Sequence, residues 1–191
     1  MIKNKYQHNE DGTTHIFVES KNKYCPGKHT IIIDTEDWDK VKEYRWCIRA
    51  GPVNRYPYAM TAIPHPDGGL KKCGRKRTTT LSLHHLILGK PPKGKVTDHR
   101  NHNGLDNRKD NLRILTQSQN MFNRRGKRNT SSRYKGISWC KDRGKWRASI
   151  WINKKNIYIG YFTCEKEAAM AVNDKARELG LEEHFLFNEV E

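Results

Sequence analysis

The sequence lacks several things that would narrow its function at once. No run of roughly 18 apolar residues occurs, so no segment reads as a membrane-spanning helix. No Cys-x-x-Cys pair occurs either. Cys25, Cys47, Cys73, Cys140 and Cys164 are scattered and odd in number, so the expectation is reduced, mostly buried thiols rather than a disulfide framework. The opening residues, MIKNKYQHNEDGTTHIF, hold no apolar core of signal-peptide type, and a cytoplasmic protein is expected. Acidic residues are scarce: 21 Asp and Glu stand against 37 Lys and Arg, a formal charge of +16. Such an excess attracts polyanions, nucleic acid before an anionic membrane surface. The 191 residues suffice for one ordinary domain or two small ones.

Acidic residues are rarest in one region. Residues 121–160 carry 12 Lys/Arg against 1 Asp, a net of +11, whereas residues 161–191 carry 3 against 8 Asp/Glu, a net of −5. Within the first of these, NRRGKRNTSSR (123–133) has no large apolar residue. It can bury nothing and reads as a basic linker or arm, with Arg124, Arg125, Lys127 and Arg128 as phosphate contacts.

What is present falls into segments with different periods. In the first 80 residues HTIIID (29–34) reads as a strand, TEDWDKVKEY (35–44) as a short helix with acidic residues in its first turn, and RWCIRA and YPYAMTAI as strands flanking GPVNR. RTTTLSLHHLIL (77–88) reads as a strand running into a short helix. After the linker, YKGISW (134–139), KWRASIWI (145–152) and NIYIGYF (156–162) read as three strands. Trp146, Ala148, Ile150 and Ile152 share one face of the middle strand, and Lys145, Arg147, Ser149 and Trp151 share the other. CEKEAAMAVNDKARELG (164–180) is amphipathic at helical spacing through Ala168, Val172, Ala176 and Leu179. Its alanines allow close approach to a sheet. The expected fold class is α+β: a mostly β N-terminal region, then a basic linker, then a three-stranded antiparallel sheet packed on one helix. The charge division directs a polyanion to the sheet.

Between these parts lies VTDHRNHNGLDNRKDNLRILTQSQN (96–120), with three aspartates, two histidines and five asparagines. Phosphodiester hydrolysis needs a base for water and a cation on the phosphate. His99 has the right intrinsic pKa for the base. Asp98 offers the hard oxygen that Mg²⁺ prefers. On an extended segment the two neighbours point to opposite sides. Asn120, 21 positions after His99, stands at a helix start and offers a second oxygen. His102 with His84, His85 or Cys73 would be a rival zinc set, although the helix carries Asn where a third His would be needed.

This stretch resembles the ββα-metal motif of HNH homing endonucleases, in the form whose metal pair is Asp and Asn. DH at 98–99 is similar to the motif's metal Asp and general-base His. NGLDNRKDNLR (103–113) is similar to its loop and second strand, with Asn111 as the bracing Asn. Asn120 matches the helical metal ligand, and LHHLILG (83–89) matches a run that precedes the motif, although Leu86 follows His85 where a basic residue is common. Residues 131–187 also resemble an AP2-type DNA-binding domain, through YKGI, GKWRASI, IGYF and KEAAMAVNDKA. The resemblance implies a nuclease domain over 1–122, a linker over 123–132 and a DNA-binding domain over 133–191. It implies a metal-dependent DNA endonuclease of homing or mobile-element type, using one Mg²⁺ or Mn²⁺ and leaving 5′-phosphate and 3′-hydroxyl ends. Its partner is double-stranded DNA. The expected DNA contacts beyond the arm are Lys135, Trp139, Lys141, Arg143, Lys145, Arg147, Ser149, Trp151 and Tyr158. No feature calls for an obligatory protein partner, while a homodimer would allow both strands to be cut. A rival of another class is a sequence-specific DNA-binding regulator on an inactive nuclease fold.

Overall fold

The computed structural model describes residues 4–51, 56–123, 131–152, 155–182, 185 and 187–190. It forms two compact units, Met1–Ile114 and Leu115–Glu191. No helix among the described residues is long and apolar enough to cross a membrane.

The first unit begins with an antiparallel meander of β1 (Lys5–His8), β2 (Thr13–Asn22) and β3 (Cys25–Asp34). β2 alternates strictly, so Thr14, Ile16 and Val18 fall on the buried side, and register brings Ile16 opposite Ile31 and Thr14 opposite Ile33. A short 3-10 turn (Thr35–Asp37) leads into α1 (Trp38–Val41). A second antiparallel sheet follows, with β4 (Cys47–Arg49), β5 (Tyr58–Pro64) and β6 (Thr78–Ser82) in that order. β6 runs directly into α2 (Leu83–Leu88), the strand-into-helix succession expected for RTTTLSLHHLIL. One core joins all of this: Ile16, Ile31, Ile33, Val41, Trp46, Ala59 and Leu83 are almost wholly buried and form one cluster with Leu105 and Leu112. The last two come from the Asp- and Asn-rich stretch, so that segment is built into the core.

β7 (Lys95–His99) and β8 (Leu112–Thr116) form a two-stranded sheet, and α3 (Gln117–Asn123) continues from β8. The boundary between the compact units falls inside β8.

The second unit holds β9 (Ile137–Cys140), β10 (Lys145–Ile152) and β11 (Lys155–Phe162), antiparallel, with β10 in the middle. α4 (Glu165–Glu178) contributes Ala168, Ala169, Val172 and Ala176 to a core shared with Ile137, Ala148 and Ile150. Gly136 makes the approach possible. It adopts φ +80°, and a Cβ there would stand 2.6 Å from the Ser149 carbonyl oxygen and 3.3 Å from Val172. The arm residues Arg124, Arg125, Lys127 and Arg128 lie outside the described residues.

Candidate active site

The chemistry-bearing stretch is a loop that braces itself. After His99, the backbone turns back through His102, which takes φ +60° and donates its N–H to the His99 carbonyl. Asn101 Oδ1 accepts from Asn103 N–H at 2.8 Å, and Asn103 Oδ1 accepts from Leu105 N–H at 3.1 Å. These are the local turns that Asn side chains favour. Asn111 closes the loop: its Nδ2 donates to the Asp106 carbonyl at 2.7 Å, and its Oδ1 accepts from Asn101 N–H at 3.0 Å. Asp106 is almost fully buried and accepts from both Asn101 Nδ2 and the Arg108 guanidinium. Burial alone would raise its carboxyl, but the Arg108 hydrogen bonds and charge outweigh it and hold the group below the usual range. The abundance of Asn and Asp thus has a structural reason as well as a chemical one.

The loop is fastened to the N-terminal meander. Ile32 N–H donates to the Leu105 carbonyl at 2.9 Å, and Asn107 N–H donates to the Ile32 carbonyl at 2.7 Å. Lys109 N–H reaches Asp34 Oδ2 at 2.8 Å. Asp34, Glu36 and Asp37 form a compact acidic group, but Lys109 Nζ contacts Glu36 and Asp37, and Lys40 contacts Asp37. The acidic group is therefore a lysine clamp on the turn that carries Asn111. Gly104 lies so close to β5 that a Cβ would meet the Pro57 carbonyl oxygen at 2.4 Å and the Tyr58 ring at 2.7 Å.

His99 ends β7, 5% exposed. Its Nε2 lies 3.5 Å from Asn107 Oδ1, and its ring packs against Tyr58 and His84 at centroid distances of 5.7 and 5.4 Å. Burial pulls its pKa below the ordinary histidine value, partly offset by the Asn107 bond and by the charges of Asp98 and Asp106. The imidazole is neutral at pH 7 and can accept a proton. His84 is pushed down to about 3, first by burial and then by its histidine neighbours His85 and His99. Asp98 points away from this cluster and pairs with Arg113, whose Nε lies 2.9 Å from Oδ2.

Asn111 thus braces the loop that follows His99, whereas the Asp98 carboxylate meets Arg113 on β8. Asn120 sits on α3, half-buried, in the second compact unit. Asp98 offers a carboxylate and Asn120 an amide oxygen, hard donors of the kind that Mg²⁺ and Mn²⁺ take and zinc does not prefer. Asn107 and Tyr58 were not singled out from sequence as site residues, and His84 stood only in the rival zinc set.

The expected contacts on the second unit divide by register. Arg147 stands opposite Ser138 and Tyr161, and Ser149 opposite Tyr158. With Lys145 and Trp151 they share the face turned from α4. Arg147 lies over the Tyr158 ring at 5.8 Å, Arg143 over Tyr161 at 4.7 Å, and Trp151 is 60% exposed. Lys141 is exposed. Trp139 differs: it pairs with Trp146, ring centroids 4.9 Å apart, on the face that carries Ile137. Lys135 is tucked in, its Nζ over the Phe185 ring and 3.3 Å from the Met121 carbonyl oxygen, and burial pushes it down to about 8.

A family model described as HNH endonuclease matches residues 84–122. An uncharacterized HNH endonuclease of Acanthamoeba polyphaga mimivirus is 31% identical over 155 residues, covering 80% of this chain and 72% of that protein. Protein 3.8 of Escherichia phage T7 is 37% identical over 62 residues, 32% of this chain and 51% of its own length. APETALA2-like protein 2 of Oryza sativa is 38% identical over 66 residues, which is 34% of this chain but 15% of that protein. No solved structure matches.

Proposed function

The chain belongs to the HNH endonuclease family, and on that premise we propose that it is a metal-dependent DNA endonuclease of homing or mobile-element type. The observation that carries the reading is His99: a buried, neutral imidazole at the end of β7, next to Asp98 and above a loop braced by Asn111. His99 takes the proton of the attacking water. Asn111 keeps the turn after His99 in place through its two backbone bonds. Asp98 and Asn120 would hold Mg²⁺ or Mn²⁺ by oxygen, and such an ion would supply charge neutralisation on the phosphate and on the departing 3′ oxygen. Products carry 5′-phosphate and 3′-hydroxyl ends.

The ββα-metal reading rests on the succession β7, β8 and α3, and it takes 1–122 as the nuclease domain. Residues 133–191 act in this reading as an AP2-type module joined by the basic segment 123–132. The net of +11 over residues 121–160 and the outward row Lys145, Arg147, Ser149, Trp151 and Tyr158 support double-stranded DNA as its ligand. The test is incubation of the full chain with supercoiled and genomic DNA in Mg²⁺, in Mn²⁺ and in EDTA, with end-group analysis of the products. Cutting in either metal and none in EDTA, with ends that a ligase rejoins directly, is expected. Cutting in EDTA, or 3′-phosphate ends, would overturn the proposal.

A further inference from the structure

The first unit carries a cleft of about 460 Å³ beside the catalytic histidine. Its wall includes Arg49 at the end of β4, Tyr56 two residues before β5, Tyr58 and Met60 on β5, His84 on α2 and Thr97 on β7. Two of these residues are also packed on His99: the His84 and Tyr58 rings lie 5.4 and 5.7 Å from it. Thr97 precedes His99 by two positions on the same strand, so both side chains leave β7 on one side. The cleft and the proposed base are thus neighbours through shared residues.

The cleft also holds unmet polar demand. Among the described residues, His84 Nδ1 and Thr97 Oγ1 are buried side-chain atoms without a hydrogen-bond partner. Such atoms are uncommon in folded proteins and call for an explanation. Around them stand one guanidinium, a half-exposed tyrosine, a second tyrosine and a thioether. Aromatic rings with a single cation and a few hydrogen-bonding groups match a nucleotide: rings for the base, guanidinium for the phosphate. The volume lies in the range of small-molecule sites. A tract of duplex backbone would instead meet several cations in a row, and this wall offers only Arg49 among its described residues.

We propose that this cleft receives one unstacked nucleotide of the DNA strand presented to His99, its base against the Tyr56 and Tyr58 rings, its polar edge on His84 Nδ1 and Thr97 Oγ1, and a phosphate on Arg49. The inference rests on the nuclease reading and adds to it a site that holds the strand beside the scissile bond. Cleavage then favours positions where a base leaves the stack readily, which makes the cleft a determinant of where the chain cuts.

The chain has four methionines. Met60 lines the cleft, while Met170 is exposed on α4. The full chain, labelled with ¹³C at the methionine methyl groups, is titrated with a deoxynucleoside 5′-monophosphate, the matching deoxynucleoside and inorganic phosphate. The Met60 signal is expected to shift saturably with the nucleotide, less with either half alone, and Met170 not at all. Tyr56→Ala removes a ring that is already 41% exposed, so the core is left alone. It is expected to weaken the nucleotide at least about fivefold, the lower end of a lost base stack. Arg49→Ala is expected to erase the advantage of nucleotide over nucleoside. The nucleotide is also expected to raise KM for DNA cleavage with kcat unchanged. A still Met60, or variants that bind as the parent does, overturns the proposal. A Met60 shift without inhibition of cleavage makes this a free-nucleotide site and overturns its role for the strand. DNA left intact in Mg²⁺ without nucleotide removes the nuclease reading, whatever Met60 does.

Discussion

Arg113 Nε lies 2.9 Å from Asp98 Oδ2, and the two side chains are only 10% and 12% exposed. The carboxylate proposed to hold the metal is thus also half of a nearly buried ion pair that joins β7 to β8. The two roles can be separated. Asp98→Asn keeps an acceptor for Arg113 and should leave the melting temperature within a few degrees, while cleavage in Mg²⁺ is lost. Arg113→Ala removes the donor and its charge together and should cost more stability than Asp98→Asn, which keeps a hydrogen-bond acceptor at that position. Denaturant unfolding of both variants checks this. Cleavage in Mg²⁺ retained by Asp98→Asn would show that Asp98 matters to the ion pair alone.

Asn111→Ala should lower stability and activity together. Its amide makes two bonds to backbone, a buried one at 2.7 Å and a partly buried one at 3.0 Å, and each lost bond leaves a backbone group unmet. A loss of about 1–3 kcal/mol is expected. A melting temperature equal to the parent's would remove Asn111 from the loop brace.

Much of this was legible in the sequence, and the part that was not has a physical pattern. The strand KWRASIWI is visible because its alternation is local, and α4 because its alanines recur at helical spacing. The bracing place of Asn111 was legible through the resemblance to the HNH motif, and its two bonds to the loop backbone fill that place. The partners of His99 were not legible. Tyr58, His84 and Asn107 arrive from β5, α2 and the loop, and nothing in their own neighbourhoods signals a shared cluster. The fastening of the loop to β3, through Ile32 and Asp34, spans more than 70 residues of sequence. Trp139 shows a different limit. Its face depends on the β9–β10 register, which pairs it with Trp146, and a basic, aromatic neighbourhood says nothing about register.

His84 should make the protein acid-sensitive. Its folded pKa, about 3, lies below the unfolded value near 6.5. The unfolded chain therefore binds the extra proton first, and stability is lost as pH falls from 6.5 toward 3. The slope from this group is up to about 1.4 kcal/mol per pH unit. His84→Phe should flatten the curve between pH 6.5 and 4.5 relative to the parent. Parallel curves for the two proteins would contradict a buried neutral His84.

The two exposed tryptophans of the second unit should behave oppositely. Trp151→Ala lies on the face turned from α4 and should weaken DNA binding, by roughly 1–3 kcal/mol if the ring meets a base. Trp139→Ala should instead cost stability through its contact with Trp146 and leave affinity nearly unchanged. Gel-shift titrations together with melting curves decide. Loss of affinity in Trp139→Ala alone would mean that DNA meets the other side of the sheet.

The role proposed for His99, the base that activates water, is open to a direct comparison. Wild type and His99→Ala are compared on the same supercoiled DNA in Mg²⁺ for cutting, and in EDTA for binding. His99→Ala is expected to cut at least about 100-fold more slowly, the lower end of a general-base contribution, while binding DNA as the wild type does. Cutting by His99→Ala at the wild-type rate would contradict it.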